Sequence, residues 1–509
     1  MIAEDQSEVI AFLENPATWG DSAGEVVRID THGAAVFLVG ERAYKMKRAV
    51  RFSYMDFSTL ERRHAACEAE FAINRRTAPM IYQGVVAVTR EPAGLALGGL
   101  GVPVEWLVVM WRFDQGCLFD RMAKDGRLRP EHIEALAEEA AAFHEIAERH
   151  RDGGGAANIA RAIDFNRDGF AAAAGILEPH AARALVTECR DALAKQARLL
   201  EARRADGFVR RCHGDLHLRN VCLIENRPTL FDAIEFNDDL AVIDVLYDIA
   251  FLIMDLVRDS RTDLASRALN RYLETSDDYG GLAALPLFLA VRAGVRAQTL
   301  AAAALAQADA GEGGRLSGDA AAALALAGAF LAPESPRIIA IGGLSGSGKS
   351  TLARGLAPLI APPPGAVIVR SDVIRKRLAG APITTPLSET AYTPQASASV
   401  YRLLGDRCVA IAASGRTAIA DAVFAQPAER EEIRDAARRA GVAFSGIWLA
   451  ADREKLIARV SMRAGDASDA DPAVVQRQLN YNVGTIDWRI IDASGAADAT
   501  LAAARDNLI

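Results

Sequence analysis

The sequence predicts two different folds in one chain: an α+β part with a β-rich lobe and a helical lobe, then an α/β part built on a parallel sheet with helices on both faces. Three observations predict it. Alternating β-branched and aromatic positions crowd residues 25–112, the pattern turns mostly helical from Pro130 to Ala332, and strands alternate with helices after Pro336. A length of 509 residues also exceeds what one core usually holds. The boundary is placed at PESPR (333–337), whose two prolines end one helix and open a new unit, giving domains 1–332 and 333–509.

Each element has a local reason. EVVRID, the THG turn, AAVFLVG and ERAYKMKR (25–48) read as an antiparallel ribbon, and STLERRHAACEAEFAINRR (58–76) as a helix. VVAVTR and VEWLVVMWR (104–112) are two further strands. Amphipathic helices are expected near 131–149, 183–204, 241–258 and 285–309, interrupted by a polar segment with two short strands at 211–235. The glycines of ADAGEGGRLSGD (308–319) predict a loop. Beyond the boundary come RIIAIGG, a helix from Lys349, AVIVRS, a helix near 396–413, RTAIAD, a helix over 427–440, VAFSGIWLA and a helix over 452–463. Such alternation implies βαβ crossovers and a parallel sheet covered on both faces.

Composition excludes several function classes. Hydrophobic residues at 51% and charged residues at 24% give ample core material and argue against global disorder. The 58 basic and 66 acidic side chains leave a net charge of −8, the wrong sign for a protein living on nucleic acid. Six scattered cysteines without CxxC pairs suggest neither a zinc site nor a disulfide framework, and a cytosolic location is expected. The acidic start lacks the pattern of an export signal, and the longest apolar run, Ala320 to Ala332, is too short to span a bilayer, so no membrane partner is expected. Only 7 of the basic residues are lysine, so each lysine is informative.

In the second part, Gly343-Leu-Ser345-Gly346-Ser347-Gly348-Lys349-Ser350-Thr351 fits GxxxxGK[ST] directly after an apolar strand and opening a helix. Glycines there let main-chain N–H groups turn inward around a β-phosphate, Lys349 reaches the β/γ oxygens, and the Ser350 hydroxyl ligates Mg²⁺. The carboxyl ends of the next strands carry the remaining candidates. Asp372 is a candidate base for a hydroxyl acceptor, with Arg375 and Arg377 beyond it to hold an anion, and Asp421 a candidate for the Mg²⁺ shell; a helix cap is the plain alternative for either aspartate. Arg459 and Arg463 share a helix face before AGDASDAD (464–471), an expected lid whose arginines close on the transferred phosphate. These features resemble the small P-loop metabolite kinases, such as gluconate and shikimate kinases, and the zeta-toxin-like kinases, over about 335–509. The resemblance implies Asp372 as acceptor-activating base and Arg459 or Arg463 as lid arginine.

In the first part, His213-Gly-Asp215-Leu-His217-Leu-Arg-Asn220 precedes two short strands that deliver Asp232. Phosphoryl transfer needs a carboxylate that orients and accepts from the attacking hydroxyl, plus an amide oxygen and a second carboxylate for Mg²⁺. Asp215, Asn220 and Asp232 supply one of each. Lys45 and Lys47, the only lysines of the first 120 residues, share one strand face; one is expected to meet phosphate and the other to be solvated. Glu68 is the expected ion-pair partner, with Glu70 second.

The strand lysine, the helix glutamate, HGDLHLRN, LFDAIEF and YDIAF (247–251) together resemble the aminoglycoside phosphotransferase and choline kinase superfamily over about 20–330. That resemblance implies a protein-kinase-like bilobal fold, Asp215 as base, Asn220 and Asp232 as magnesium ligands, Lys45 on phosphate, and an adenine hinge from Met110 to Phe113. Two departures stand out: DTHGAA has a single glycine, and Ala-Ile follows Asp232 where protein kinases have Phe-Gly. The order of the two parts also resembles bacterial fusions named bifunctional aminoglycoside phosphotransferase/ATP-binding proteins. Carboxylates at Glu235, Asp238, Asp239 and Asp255 are available to line a cationic acceptor site, although acidic surface is common in a chain of this charge. The expected activity is transfer of the γ-phosphoryl group of Mg-ATP to a hydroxyl of a small molecule at each of two sites. The alternatives are one active site with a nucleotide-sensing partner domain, or a protein or auto-kinase.

Overall fold

The structure, a computed structural model, describes residues 4–20, 25–52, 54–333, 335–462 and 467–506. They separate into two compact units, Met1–Ile159 with Leu200–Leu252, and Ala160–Leu199 with Ile253–Ile509.

The first unit opens with helix α1 (Ser7–Glu14) and an antiparallel sheet of β1 (Val26–Asp30), β2 (Ala34–Val39), β3 (Arg42–Lys47), β4 (Tyr82–Glu91), β5 (Gly94–Leu97) and β6 (Val102–Trp111) in the order β1-β2-β3-β6-β4-β5. Alternation on β3 decides what each face does. Tyr44 and Met46 join Phe37 and Leu107 in a core closed by Val9 and Leu13 of α1. Ala43 packs on the other face with Val108 and Met110 beneath helix α2 (Leu60–Asn74), and Lys45 and Lys47 share that face. Thr59 caps α2 by accepting from the Arg62 N–H. The helical lobe follows with α3 (Pro130–Ile146). Short strands β7 (Val209–Arg211), β8 (Val221–Ile224), β9 (Arg227–Leu230) and β10 (Val242–Asp244) pair antiparallel as β7 with β10 and β8 with β9. The unit ends inside helix α4 (Val245–Arg258).

The second unit begins as a helical bundle of α5 (Thr262–Ser276), α6 (Leu285–Ala306) and α7 (Ala310–Phe330) with the residues of 160–199. Buried Asn166 joins it by donating to the Val291 carbonyl and accepting from Gln298. The span Tyr279–Ala306 is apolar enough to cross a bilayer, with a mean hydropathy of 1.3, but 72% of its most apolar window is buried in the fold, as in a core helix. The loop expected at 308–319 is corrected: α7 starts at Ala310, where the Asp309 carboxylate caps the Glu312 N–H. Arg315 pairs with Glu312 and Asp319 one turn away on either side, and Ala320, Ala323, Leu324 and Ala327 bury an apolar stripe, so the glycines are carried by the helix.

The same unit continues into a five-stranded, all-parallel sheet: β11 (Arg337–Gly342), β12 (Val367–Arg370), β13 (Ala418–Asp421), β14 (Ala443–Ala450) and β15 (Arg489–Asp492) in the order β12-β13-β11-β14-β15. Helices α8 (Lys349–Leu356), α9 (Ser371–Leu378), α10 (Pro394–Ala413), α11 (Pro427–Ala440), α12 (Arg453–Ser461), α13 (Pro472–Gln478) and α14 (Ala497–Arg505) connect and cover it. Ile339, Ile341, Ile368, Ile419, Ile447 and Leu449 form the core of one face. The boundary expected at 333 falls inside this unit, because β12 packs on α5: the buried Asn270 side chain donates to the Ala366 carbonyl and accepts from the Ile368 N–H.

Candidate active sites

In the first unit, both lysines of β3 point inward. Lys45 Nζ lies 2.9 Å from Glu70 Oε1 and 2.5 Å from Asp232 Oδ1. Lys47 is buried as well and bridges Glu70 Oε2 and Glu235. The expected solvated lysine is therefore corrected: strand alternation puts both on the α2 face, and three carboxylates take them up. The expected partner Glu68 is corrected too. It is exposed and sits 3.6 Å from His64, whereas Glu70 shares the buried face of α2 with Arg63, Cys67 and Asn74. Glu235 is held by Lys47 and so is not available to line a cationic acceptor site. Burial lowers the affinity of Lys45 for its proton, but Asp232, Glu70, Tyr82 and Glu235 outweigh it and raise its pKa well above the ordinary value. Burial likewise pushes Asp232 up, and contact with Lys45 reverses the sign and holds it ionised.

Asp232 sits in a positive-φ conformation (φ 60°), a strained state for a non-glycine residue. Successive N–H groups clamp it: Asp232 donates to Tyr82 Oη at 3.2 Å, Ala233 to Asn74 Oδ1 at 2.8 Å, and Ile234 to the His213 carbonyl at 2.9 Å. The Ala-Ile pair after Asp232 is thus locked by Asn74 and His213 rather than by a packed phenylalanine.

The loop 213–220 brings Asp215 and Asn220 into direct contact. Asn220 Nδ2 donates to Asp215 Oδ2 and to the Asp215 carbonyl, both at 3.0 Å, and His217 Nε2 is 3.2 Å from Asp215 Oδ2. With its amide nitrogen engaged, Asn220 has its carbonyl oxygen left to face a metal ion. Asp215, Asn220 and Asp232 therefore offer only oxygen ligands, which suits a hard divalent cation such as Mg²⁺. Asp248 on α4 anchors the loop from behind, accepting from the His213 and Gly214 N–H groups at 2.9 Å each and meeting His144 Nε2 at 3.1 Å. Sequence reasoning quoted the segment holding Asp248 without seeing this role; the signal was an aspartate between Tyr247 and Ile249 in the first turn of a largely apolar helix. Gly214 (φ 83°) is required there, since a Cβ would stand 2.8 Å from the Leu240 carbonyl oxygen.

The hinge expected from Met110 to Phe113 is the end of β6 and the chain just beyond it. Met110 is buried opposite Ala43 and Tyr82, and Phe113 stacks edge-on against Phe231. A cavity of about 600 Å³ opens beside it, lined by Gly40, Glu41, Trp111, Arg112, Phe113, Asp114 and Gln115.

In the second unit the turn 343–348 leaves β11 and enters α8 at Lys349. Gly343, Gly346 and Gly348 all have positive φ, and a Cβ on Gly346 would stand 2.4 Å from the Leu456 carbonyl oxygen. The absence of a Cβ at Gly346 lets the turn pack directly on the main chain of α12. Ser350 Oγ donates to Asp421 Oδ2 at 2.5 Å, and Lys349 Nζ rests on the Leu344 carbonyl at 3.1 Å. Ser347 Oγ is buried without a hydrogen-bond partner among the described residues, a polar group left over for a ligand. Ser345 donates its N–H to Gln478 Oε1 at 2.8 Å, a contact that sequence reasoning missed. Thr351 is exposed. Hydroxyl and carboxylate oxygens from Ser350 and Asp421 again suit Mg²⁺.

Asp372 lies in the first turn of α9. Burial raises its pKa, Arg370 and Lys349 oppose the rise, and Asp421 adds to it. Arg375 lies over the Tyr392 ring and donates to the Ala391 carbonyl, whereas Arg377 turns away and donates to the Glu274 and Thr275 carbonyls at the end of α5. The lid role expected for Arg459 is corrected: its guanidinium is held by the Gly346, Ala493 and Gly495 carbonyls, so it braces the glycine turn and the end of β15. Arg463 lies outside the described residues. From the expected lid segment, Asp469 binds buried Lys376 and accepts from Tyr392 Oη at 2.6 Å.

The phosphotransferase enzyme family matches residues 36–285 and the AAA domain family matches residues 338–482. The Mycobacterium tuberculosis protein named Uncharacterized protein Rv2004c is 30% identical over 467 residues, covering 89% of this chain and 90% of its own length. The chain belongs to the phosphotransferase enzyme family, joined to a P-loop kinase domain. It is a kinase. Among solved structures the kinase resembles amicoumacin kinase hAmiN (14% identity, 64% of this chain and 94% of that one, TM-score 0.40). It also resembles a choline/ethanolamine kinase family protein from Mesorhizobium loti (15%, 63% and 98%, TM-score 0.37). The Mycobacterium tuberculosis APS kinase CysC is similar over a shorter stretch (17%, 34% and 97%, TM-score 0.23).

Proposed function

We propose that this kinase is a two-site ATP-dependent phosphotransferase, with the phosphotransferase-family part (36–285) and the P-loop part (338–482) each transferring the γ-phosphoryl group of ATP to a hydroxyl of a small molecule in the cytoplasm. The observation that carries the reading is Lys45 bridging Glu70 and Asp232 in front of the Asp215–Asn220 pair. At the first site Asp215 orients the acceptor hydroxyl and takes its proton, while Lys45 meets the phosphates. Asn220 and Asp232 would hold the metal. At the second site main-chain N–H groups at the end of the turn (346–349) and the Lys349 ammonium cradle the phosphates, Ser350 and Asp421 would hold the metal, and Asp372 takes the acceptor proton. Magnesium, when bound, neutralises phosphate charge and orients the transferred group. Positioning and charge stabilisation supply most of the catalysis.

The test is ADP release across a panel of hydroxylated metabolites, comparing the parent with Asp215→Ala and Lys349→Ala. Each variant is expected to abolish one product and leave the other. A panel on which Asp215→Ala retains every phosphorylated product overturns the assignment of the first site. If Lys349→Ala alters the first product without removing a second, the P-loop domain is a nucleotide sensor instead.

A further inference from the structure

We propose that the second site has an acceptor built into its own chain: Ser468, whose hydroxyl takes the γ-phosphoryl group of ATP in an intramolecular transfer. This activity goes beyond transfer to a small molecule, and it rests on the reading of Asp372 as base and Lys349 as phosphate contact.

Residues 467–471 are held at three points. Ala467 is buried, Asp469 reaches three groups at once, and Asp471 caps α13 by accepting from the Val474 N–H at 2.7 Å. Asp469 Oδ1 pairs with the ammonium of Lys376, whose side chain is only 1% exposed and also donates to the Thr385 carbonyl. Asp469 Oδ2 accepts from the Leu387 N–H at 3.0 Å and from Tyr392 Oη at 2.6 Å. A buried ammonium and its counter-charge thus fix this stretch against α9.

Lys376 stands one helical turn after Asp372, on the same side of α9. Anchoring Asp469 at Lys376 therefore brings its neighbour Ser468 beside Asp372, and the Ser468 hydroxyl donates to that carboxylate. Both residues are half-buried. Tyr392, another hydroxyl close by, donates to Asp469 instead. Lys349 and Asp421 both act electrostatically on Asp372, so the serine–aspartate pair lies within reach of their charges. An alcohol hydrogen-bonded to a general base is the arrangement from which phosphoryl transfer to a hydroxyl starts.

In the step, a bond forms between Ser468 Oγ and the γ-phosphorus while the bond from that phosphorus to the oxygen bridging it to the β-phosphate breaks. The hydroxyl proton passes to Asp372, and ADP leaves with the electron pair of the broken bond. Phosphoserine adds about 1.5–2 negative charges beside Asp372 and Asp469, so repulsion moves the product off the base and transfer stops at one phosphate per chain.

The experiment is incubation of the full chain with Mg-ATP and no other acceptor, read by intact mass and by mapping of the phosphorylated residue. One addition of about 80 Da per chain, on Ser468, is expected, at a rate per chain that does not change with protein concentration. Ser468→Ala and Lys349→Ala should abolish it, and Asp372→Asn should slow it about 10²- to 10⁴-fold. Asp215→Ala, altered at the first site, should keep it. Four results each overturn the assignment: no phosphate on Ser468, a label that survives Lys349→Ala, a label lost in Asp215→Ala, or a rate per chain that rises with protein concentration. Should Asp372→Asn not fold, Ser468→Ala and Lys349→Ala decide by the same rule. Calorimetric Mg-ADP binding that depends on Lys349, without phosphate on Ser468, defeats this assignment alone, whereas no Lys349-dependent binding defeats the reading of the second site with it.

Discussion

The two phosphate-binding candidates are made of different materials. In the first unit the cations are side chains already inside ion pairs, with Lys45 and Lys47 shared among Glu70, Asp232 and Glu235. In the second the donors are main-chain N–H groups on a turn that three positive-φ glycines permit, with Lys349 at its end. One site stores its charge balance in chemistry that a single substitution removes, and the other stores its shape in backbone that a single methyl group spoils.

That contrast makes predictions of decreasing size. Asp215→Asn should lower turnover at the first site by about 10²- to 10⁴-fold with an unchanged melting temperature, measured as product formation with the second site intact. Lys47→Met should destabilise the chain by about 3–5 kcal/mol in denaturant titration, because Glu70 and Glu235 are left buried with one cation fewer. Glu235 already has a raised pKa, chiefly through burial. Its neutral form is favoured by the fold, so the Lys47→Met deficit is full above the raised value and shrinks as pH falls from there toward the ordinary carboxylate value. Gly346→Ala should cost about 1–3 kcal/mol and eliminate second-site nucleotide binding, since the obstructing atom is a main-chain oxygen. The smallest effect is in pH dependence. A base must be ionised, and Asp372 holds its proton more tightly than an ordinary aspartate. The acidic limb of the second-site kcat/KM profile should therefore lie above the usual carboxylate range, and at the first site that limb should not respond to Asp372→Asn.

Much of this was legible because it is local. The β-ribbon, the strand before Gly343 and the helix after Gly348 follow from alternation, helical period and glycine placement. What escaped depends on packing across distance. Glu68 and Glu70 differ by two positions, and only the sheet beneath α2 decides which one is buried. Lys47 reads as a surface residue until Glu235, distant in sequence, arrives beside it. The glycines of 311–318 mark a loop by propensity, yet Asp309 and the Arg315 pairs sustain a helix. Arg459 has the composition of a phosphate-binding arginine, and its actual partners are three carbonyls that no local pattern advertises.

Asn270 has a practical consequence. By bonding to the outer side of β12 it occupies donors and acceptors that an edge strand otherwise presents to any extended chain that meets it. A fragment cut at 333 bares that rim together with the arginines that α5 had neutralised, so self-association through strand addition is the expected fate of the excised piece.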